Sequence, residues 1–198
     1  MGEWGRGSQA SAVLGPVTLA ARLVIVPGLG GSGLDHWQTI WQQAHPRARR
    51  FAPSSLDLPE LEDWVEAIDR AVAAEEEPPI LVAHSLGTIA VTAWASRHAS
   101  QARAALLVAP PDPSRPDAPA VIHPFAAVQP RPLAIPAVVI ASTDDPYASL
   151  DHARRTAQGW EAPLIVAGAW GHLNAQSELG AWSDGAAALE SLARASAV

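Results

Sequence analysis

The sequence predicts an α/β protein, a three-layer sandwich in which about six mostly parallel strands carry helices on both faces. Three observations lead there. Short apolar runs rich in Val, Ile and Leu recur along the 198 residues, as expected of strands buried on both sides. Between them lie longer segments whose apolar residues repeat at helical spacing. The two kinds alternate, which is how a parallel sheet with helical crossovers reads in one dimension.

Met1 to Gly15 is rich in Gly and Ser and carries Glu3 ahead of any apolar run, so it lacks the basic start and long apolar middle of a signal peptide. Residues 1–20 read as a frayed extension and 21–198 as a single domain, in keeping with the length. The first strand is Ala21 to Val26, which a Val17 to Leu19 prelude would lengthen; Pro27-Gly28 stops it. The turn Gly28-Leu29-Gly30-Gly31-Ser32-Gly33 follows. A helix then starts near Asp35, with Trp37 and Trp41 one turn apart on a face that core packing would explain.

Arg49 to Ala52 is a short strand by position more than by composition. Pro59 suits a first helical turn, and Leu61, Trp64, Val65, Ile68 and Val72 share one face from there to about Ala74. Ile80, Leu81 and Val82 form a buried strand that ends in small residues and feeds a helix over Thr88 to Ala99; Ala104 to Ala109 is the next strand. Pro110 to Pro132 interrupts the rhythm. Its many prolines fix φ and remove donors, excluding a central strand or a long uninterrupted helix. It reads as an irregular crossover, either a plain surface loop or a wall or lid of the ligand crevice at the strands' carboxyl ends. Ala137 to Ala141 and Leu164 to Ala167 complete the strands. Ser149 can cap a helix from Leu150, and a last helix spans Ala181 to Ala193.

A formal charge of −7, with no basic cluster beyond Arg47, Arg49 and Arg50, argues against nucleic acid or an anionic membrane as partner and for a small neutral substrate. The chain has no cysteine, hence no disulfide, no Cys-ligated metal and no Cys nucleophile, which suits a reducing, cytoplasmic setting. No run approaches the roughly 18 apolar residues of a membrane span. A soluble monomer or small homo-oligomer is expected.

The chemistry concentrates at three strand ends. Ala83-His84-Ser85-Leu86-Gly87 matches the G-x-S-x-G nucleophile elbow except for alanine at the first glycine, a change of one methyl group. Asp144 and Asp145 follow the fifth strand and His172 the sixth, giving the Ser, Asp, His order of α/β-hydrolases. A serine hydroxyl needs an imidazole to take its proton during attack and return it to the leaving group; a carboxylate must hold that imidazole in the productive tautomer. Ser85 and His172 fit the first two roles, and either aspartate the third. Backbone donors for an oxyanion are available at Leu86, which follows the nucleophile at a helix start, and at Leu29 in the glycine turn. Gly28, His84, Trp37 and Trp170 are candidate pocket residues.

Gly28-x-Gly30-x-x-Gly33 also satisfies a dinucleotide fingerprint formally. However, Pro27 intrudes before the first glycine, and only Asp57 stands as a late acidic candidate. An oxidoreductase is therefore the weaker reading, and a catalytically silent binding protein on the same fold is another alternative. Asp35-His36, His84 and His123 are scattered without metal-ligand spacing, so neither metal nor other cofactor is expected.

The segments Val24 to Ser32, Asp35-His-Trp-Gln, Ala83 to Gly87, Ser142-Thr-Asp-Asp-Pro-Tyr and Gly171-His-Leu-Asn together resemble the YdeN and retinoblastoma-binding-protein-9 family of small serine hydrolases, from about Arg22 to the C-terminus. The resemblance implies a compact α/β-hydrolase without a large cap domain. It also implies that the aspartate immediately before the proline, Asp145, is the acid, with Ser85 as nucleophile and His172 as base. Without cysteine the chain has no L-x-C-x-E motif, so retinoblastoma-type binding is not implied. The expected reaction is cleavage of small carboxylic esters through an acyl-enzyme, with thioesters and short amides as further candidates.

Overall fold

The computed structural model describes residues 20–98 and 101–197. The elements run β1 (Leu23–Val26), α1 (Trp37–Ala44), β2 (Ala48–Arg50), α2 (Leu61–Ala73), β3 (Ile80–His84), α3 (Leu86–Ala95), β4 (Ala104–Val108), β5 (Ala137–Ala141), α4 (Leu150–Gly159), β6 (Leu164–Val166) and α5 (Ser183–Ala195). All six strands lie in one sheet of order β2-β1-β3-β4-β5-β6, and every pair is parallel. The proposed strand prelude at Val17 to Leu19 lies outside the described residues, as does nearly all of the N-terminal extension.

Side chains alternate across the sheet, as period two requires. Val24, Val26, Leu81, Ala83 and Leu107 face a core built with α2, α3 and α4. Leu23, Ile25, Val82, Leu106 and Ile140 face a second core under α1 and α5. β1, β3 and β4 are buried throughout, which explains their unbroken apolar runs, whereas β2 at the edge is half-exposed and could not be read from hydrophobicity.

Several boundaries move. The weak strand is Ala48–Arg50, because Phe51 leaves the sheet for the core beside Trp64. The first helix begins at Trp37 with His36 as its cap: Nδ1 of the imidazole accepts the Gln38 N–H at 3.1 Å. The helix after β3 starts at Leu86 and ends at Ala95; Ala99 is outside the described residues. The last helix starts after Trp182, whose backbone is left-handed (φ +45°). Pro110 to Pro132 is irregular apart from a 3-10 helix at Ala120–Ala127, and Phe125 anchors it in the core against Trp64.

The strand order places a topological switch point between β1 and β3. From β1 the chain crosses to β2 on one side, from β3 to β4 on the other, and the connections part to leave a crevice outside the carboxyl ends. Gly28 and Ser85 sit at its mouth.

Candidate active site

Ser85 occupies the sharp turn between β3 and α3 with φ +53° and ψ −128°, a strained geometry for a residue with a side chain. Its neighbours are fixed by contact distance. A Cβ on Gly87 would lie 2.5 Å from the carbonyl oxygens of Val26 and Pro27, so strand and helix can approach only at glycine. Ala83, by contrast, points off the sheet into the core shared with α2 and α3, where its methyl group is buried. Gly28 is equally constrained from the other side: its Cβ would stand 2.7 Å from Ser85 Cβ.

The structure brings Ser85, His172 and Asp145 into one hydrogen-bonded chain. His172 Nε2 lies 2.8 Å from Ser85 Oγ, and His172 Nδ1 lies 2.9 and 2.8 Å from the two carboxylate oxygens of Asp145. Both side chains of the pair are buried. Asp145 Oδ1 also accepts the Tyr147 N–H at 2.8 Å, and the Tyr147 ring meets the imidazole edge to face at 4.5 Å. Asp144 turns elsewhere. Its Oδ1 accepts from Gly171 N–H at 2.7 Å and lies 2.6 Å from Ser142 Oγ, joining the loops after β5 and β6.

A cleft of about 220 Å³ opens on Ser85. Gly28, Leu29, His84 and Leu86 all line it. Leu86 begins α3, where an amide has no intrahelical acceptor, and the Leu29 amide donates to no acceptor among the described residues. The far wall comes from the Pro110 to Pro132 crossover, through residues such as Ala118 and Ile122, with Asp112, Arg115 and Asp117 adding charge at the rim. Arg115 grips both Asp117 oxygens and donates to the Pro146 carbonyl at 2.8 Å. Nothing in the sequence singled out Arg115, whereas Tyr147 lies within the quoted Asp-Asp-Pro-Tyr segment.

Two of the pocket candidates are corrected. Trp37 does not reach the cleft: it is buried among Trp41, Trp182 and His84, because the amphipathic face of α1 turns it into the second core. Trp170 does not line the cleft either but an adjoining open groove, which shares Pro146, Tyr147, His172 and Asn174 with it. A third correction concerns the histidines. His36 and His84 are not scattered but form a row with His172: His36 meets His84 edge to face with ring centroids 4.8 Å apart, and His84 lies tilted to His172 at 4.9 Å. Burial, aided by His172 and His36, pushes the His84 pKa well below 6.5; burial, Arg50 and His172 push that of His36 down to about 4. Both rings are neutral at pH 7. Among the described residues no group of three or more His, Asp or Glu could hold a metal ion, and no helix is long and apolar enough to cross a membrane.

The glycine turn also departs from a dinucleotide site. A Cβ on Gly33 would meet nothing within 4 Å, so the third glycine is not demanded by helix–strand packing as that fingerprint requires.

A serine hydrolase family model matches residues 23–191. The chain belongs to the serine hydrolase family. Within it, this serine hydrolase is YdeN-like: it is 31% identical to a putative YdeN-like hydrolase from Pectobacterium atrosepticum, with a TM-score of 0.81 over 89% of this chain and 92% of that one. The ydeN gene product of B. subtilis shares the fold at 22% identity, with a TM-score of 0.74 over 87% and 98%. An esterase domain from Rhodothermus marinus does so at 20% identity, with a TM-score of 0.67 over 92% and 89%. No curated protein matches the chain. The family and the fold make it an α/β-hydrolase of the serine hydrolase family.

Proposed function

We propose that the protein cleaves small carboxylic esters through a Ser85–His172–Asp145 triad and an acyl-enzyme, with thioesters and short amides as related substrates. The observation that carries the reading is the hydrogen-bond chain from Asp145 through His172 to Ser85 Oγ at the base of a cleft. Ser85 Oγ bonds to the carbonyl carbon as its proton passes to His172 Nε2. The Leu29 and Leu86 amides receive the oxyanion, and the dipole of α3 favours the same charge. Collapse breaks the bond to the leaving alcohol, which takes the proton back from His172. Water then repeats the sequence, releasing the acid and restoring Ser85.

The cleft volume supports a short acyl group. An engineered cavity of roughly 150 Å³ holds benzene, so about 220 Å³ beside Ser85 has room for an aromatic or short alkyl acyl group. A cytoplasmic location and a neutral small-molecule substrate are part of the same proposal.

A fluorophosphonate probe should label the wild-type protein and leave Ser85→Ala unlabelled, with turnover of p-nitrophenyl acetate falling on the order of a millionfold. Labelling that survives Ser85→Ala would reject the nucleophile. No turnover of any p-nitrophenyl ester or amide by the wild type would favour a silent binding protein.

A further inference from the structure

Two ring N–H groups reach consecutive carbonyls of the loop that carries His172. His84 Nε2 lies 2.9 Å from the carbonyl oxygen of His172, and Trp37 Nε1 donates to the carbonyl of Leu173 at 2.8 Å. One donor stands at the end of β3, the other at the start of α1. They grip a backbone that has reason to relax. Gly171 (φ +57°) and Leu173 (φ +49°) are both left-handed, one on each side of His172, and leucine holds such a conformation only under constraint. Because a carbonyl accepts, Nε2 of His84 must carry the hydrogen; burial keeps that ring neutral and so leaves a single tautomer for the task.

We propose that His84 and Trp37 are positioning residues for the base: by holding the carbonyls of residues 172 and 173 they aim His172 at Ser85 Oγ and at Asp145 together. The proposal rests on His172 acting as that base. Neither residue needs to touch the reacting atoms. Trp41 supplies the comparison within the molecule. It is as buried as Trp37, at 1% exposure each, and its Nε1 also donates to a carbonyl, that of Ala181 at 2.7 Å, outside the loop.

The test compares His84→Leu, His84→Gln, Trp37→Phe and Trp41→Phe by kcat and KM on p-nitrophenyl acetate, by Tm, and by the far-downfield proton resonance of the His172 Nδ1–H, assigned by its loss in His172→Gln. His84→Leu should lower kcat roughly tenfold to a hundredfold, the scale of a small misplacement, with KM nearly unchanged and the resonance broadened or shifted. His84→Gln places an amide N–H at the same reach and should recover most of the loss. Trp37→Phe should lower kcat by about tenfold, whereas Trp41→Phe should lower Tm comparably and leave kcat and the resonance as in wild type. Equal effects of Trp37→Phe and Trp41→Phe on kcat and resonance, or no recovery in His84→Gln, would overturn the proposal. A wild type that showed the resonance but hydrolysed nothing would reject the esterase reading, and the resonances of the four variants would still decide the positioning.

Discussion

On the β1–β3 side of the cleft the nucleophile is placed by backbone contact; on the β5–β6 side the acid and base are placed by side-chain hydrogen bonds. Gly28 and Gly87 leave no space for a Cβ, and between them Ser85 can adopt only the turn it has. The loops after β5 and β6 meet no such walls. They are tied to each other by Asp144 to Gly171 N–H and by Ser142 Oγ, which accepts from Trp170 N–H at 2.9 Å. Contact placement leaves the nucleophile no room to shift, while hydrogen-bond placement is undone by the loss of a single acceptor. The two sides should therefore fail differently when altered.

Among changes that leave Ser85 itself in place, the largest effect is expected on the hydrogen-bonded side. Asp145→Asn would present an amide where His172 Nδ1 needs an acceptor, favouring the wrong tautomer, so kcat should fall by about ten-thousandfold with little change in fold. Asp144→Asn keeps a carbonyl oxygen for Gly171 N–H and Ser142, and its loss should stay within about tenfold, the scale of one hydrogen bond weakened. Steady-state kinetics on one ester ranks the pair, and the reverse order would reassign the acid.

The same division explains what the sequence made legible. The elbow was readable because its residues fall within five positions, Ala83 to Gly87, although the walls that demand Gly87 stand at Val26 and Pro27, and the buried strands because they are continuous apolar runs. The choice of Asp145 over Asp144 was not readable from residue type or spacing; the family resemblance supplied it, and the contact with His172 spans 27 positions. Trp37 packs in the core as its helical face suggested, but its candidacy for the pocket failed because spacing gives a face and not the neighbour across it, here the Leu173 carbonyl 136 positions away. The row His36, His84, His172 was missed for the same reason: only the parallel order of β1 and β3 brings the loop after β1 beside the elbow.

The contact-placed side is probed by adding one methyl group. Gly28→Ala would push a Cβ to 2.7 Å from Ser85 Cβ, displacing the nucleophile and lowering kcat by about a hundredfold. Gly33→Ala in the same turn meets nothing within 4 Å and should be silent in kcat. Equal behaviour of the two would mean that the elbow yields, and that the steric account of Ser85 is wrong.

The smallest effect lies at the seam, where His36 of the β1–α1 loop packs on His84. Its pKa is held down to about 4 in the fold, against 6.5 in the unfolded chain. A depressed base means that the unfolded state binds the extra proton, so this stability is complete above pH 6.5 and is lost as pH falls toward 4. At pH 5 the loss relative to pH 7 should be about 2 kcal/mol from His36 alone. His36→Asn keeps an oxygen for the Gln38 N–H, since asparagine is a strong N-cap, but removes the titration. Urea unfolding should then show the variant gaining on the wild type between pH 7 and pH 5. A pH dependence identical in the two proteins would mean that His36 titrates alike in the folded and unfolded chain, and that its burial does not disfavour the imidazolium.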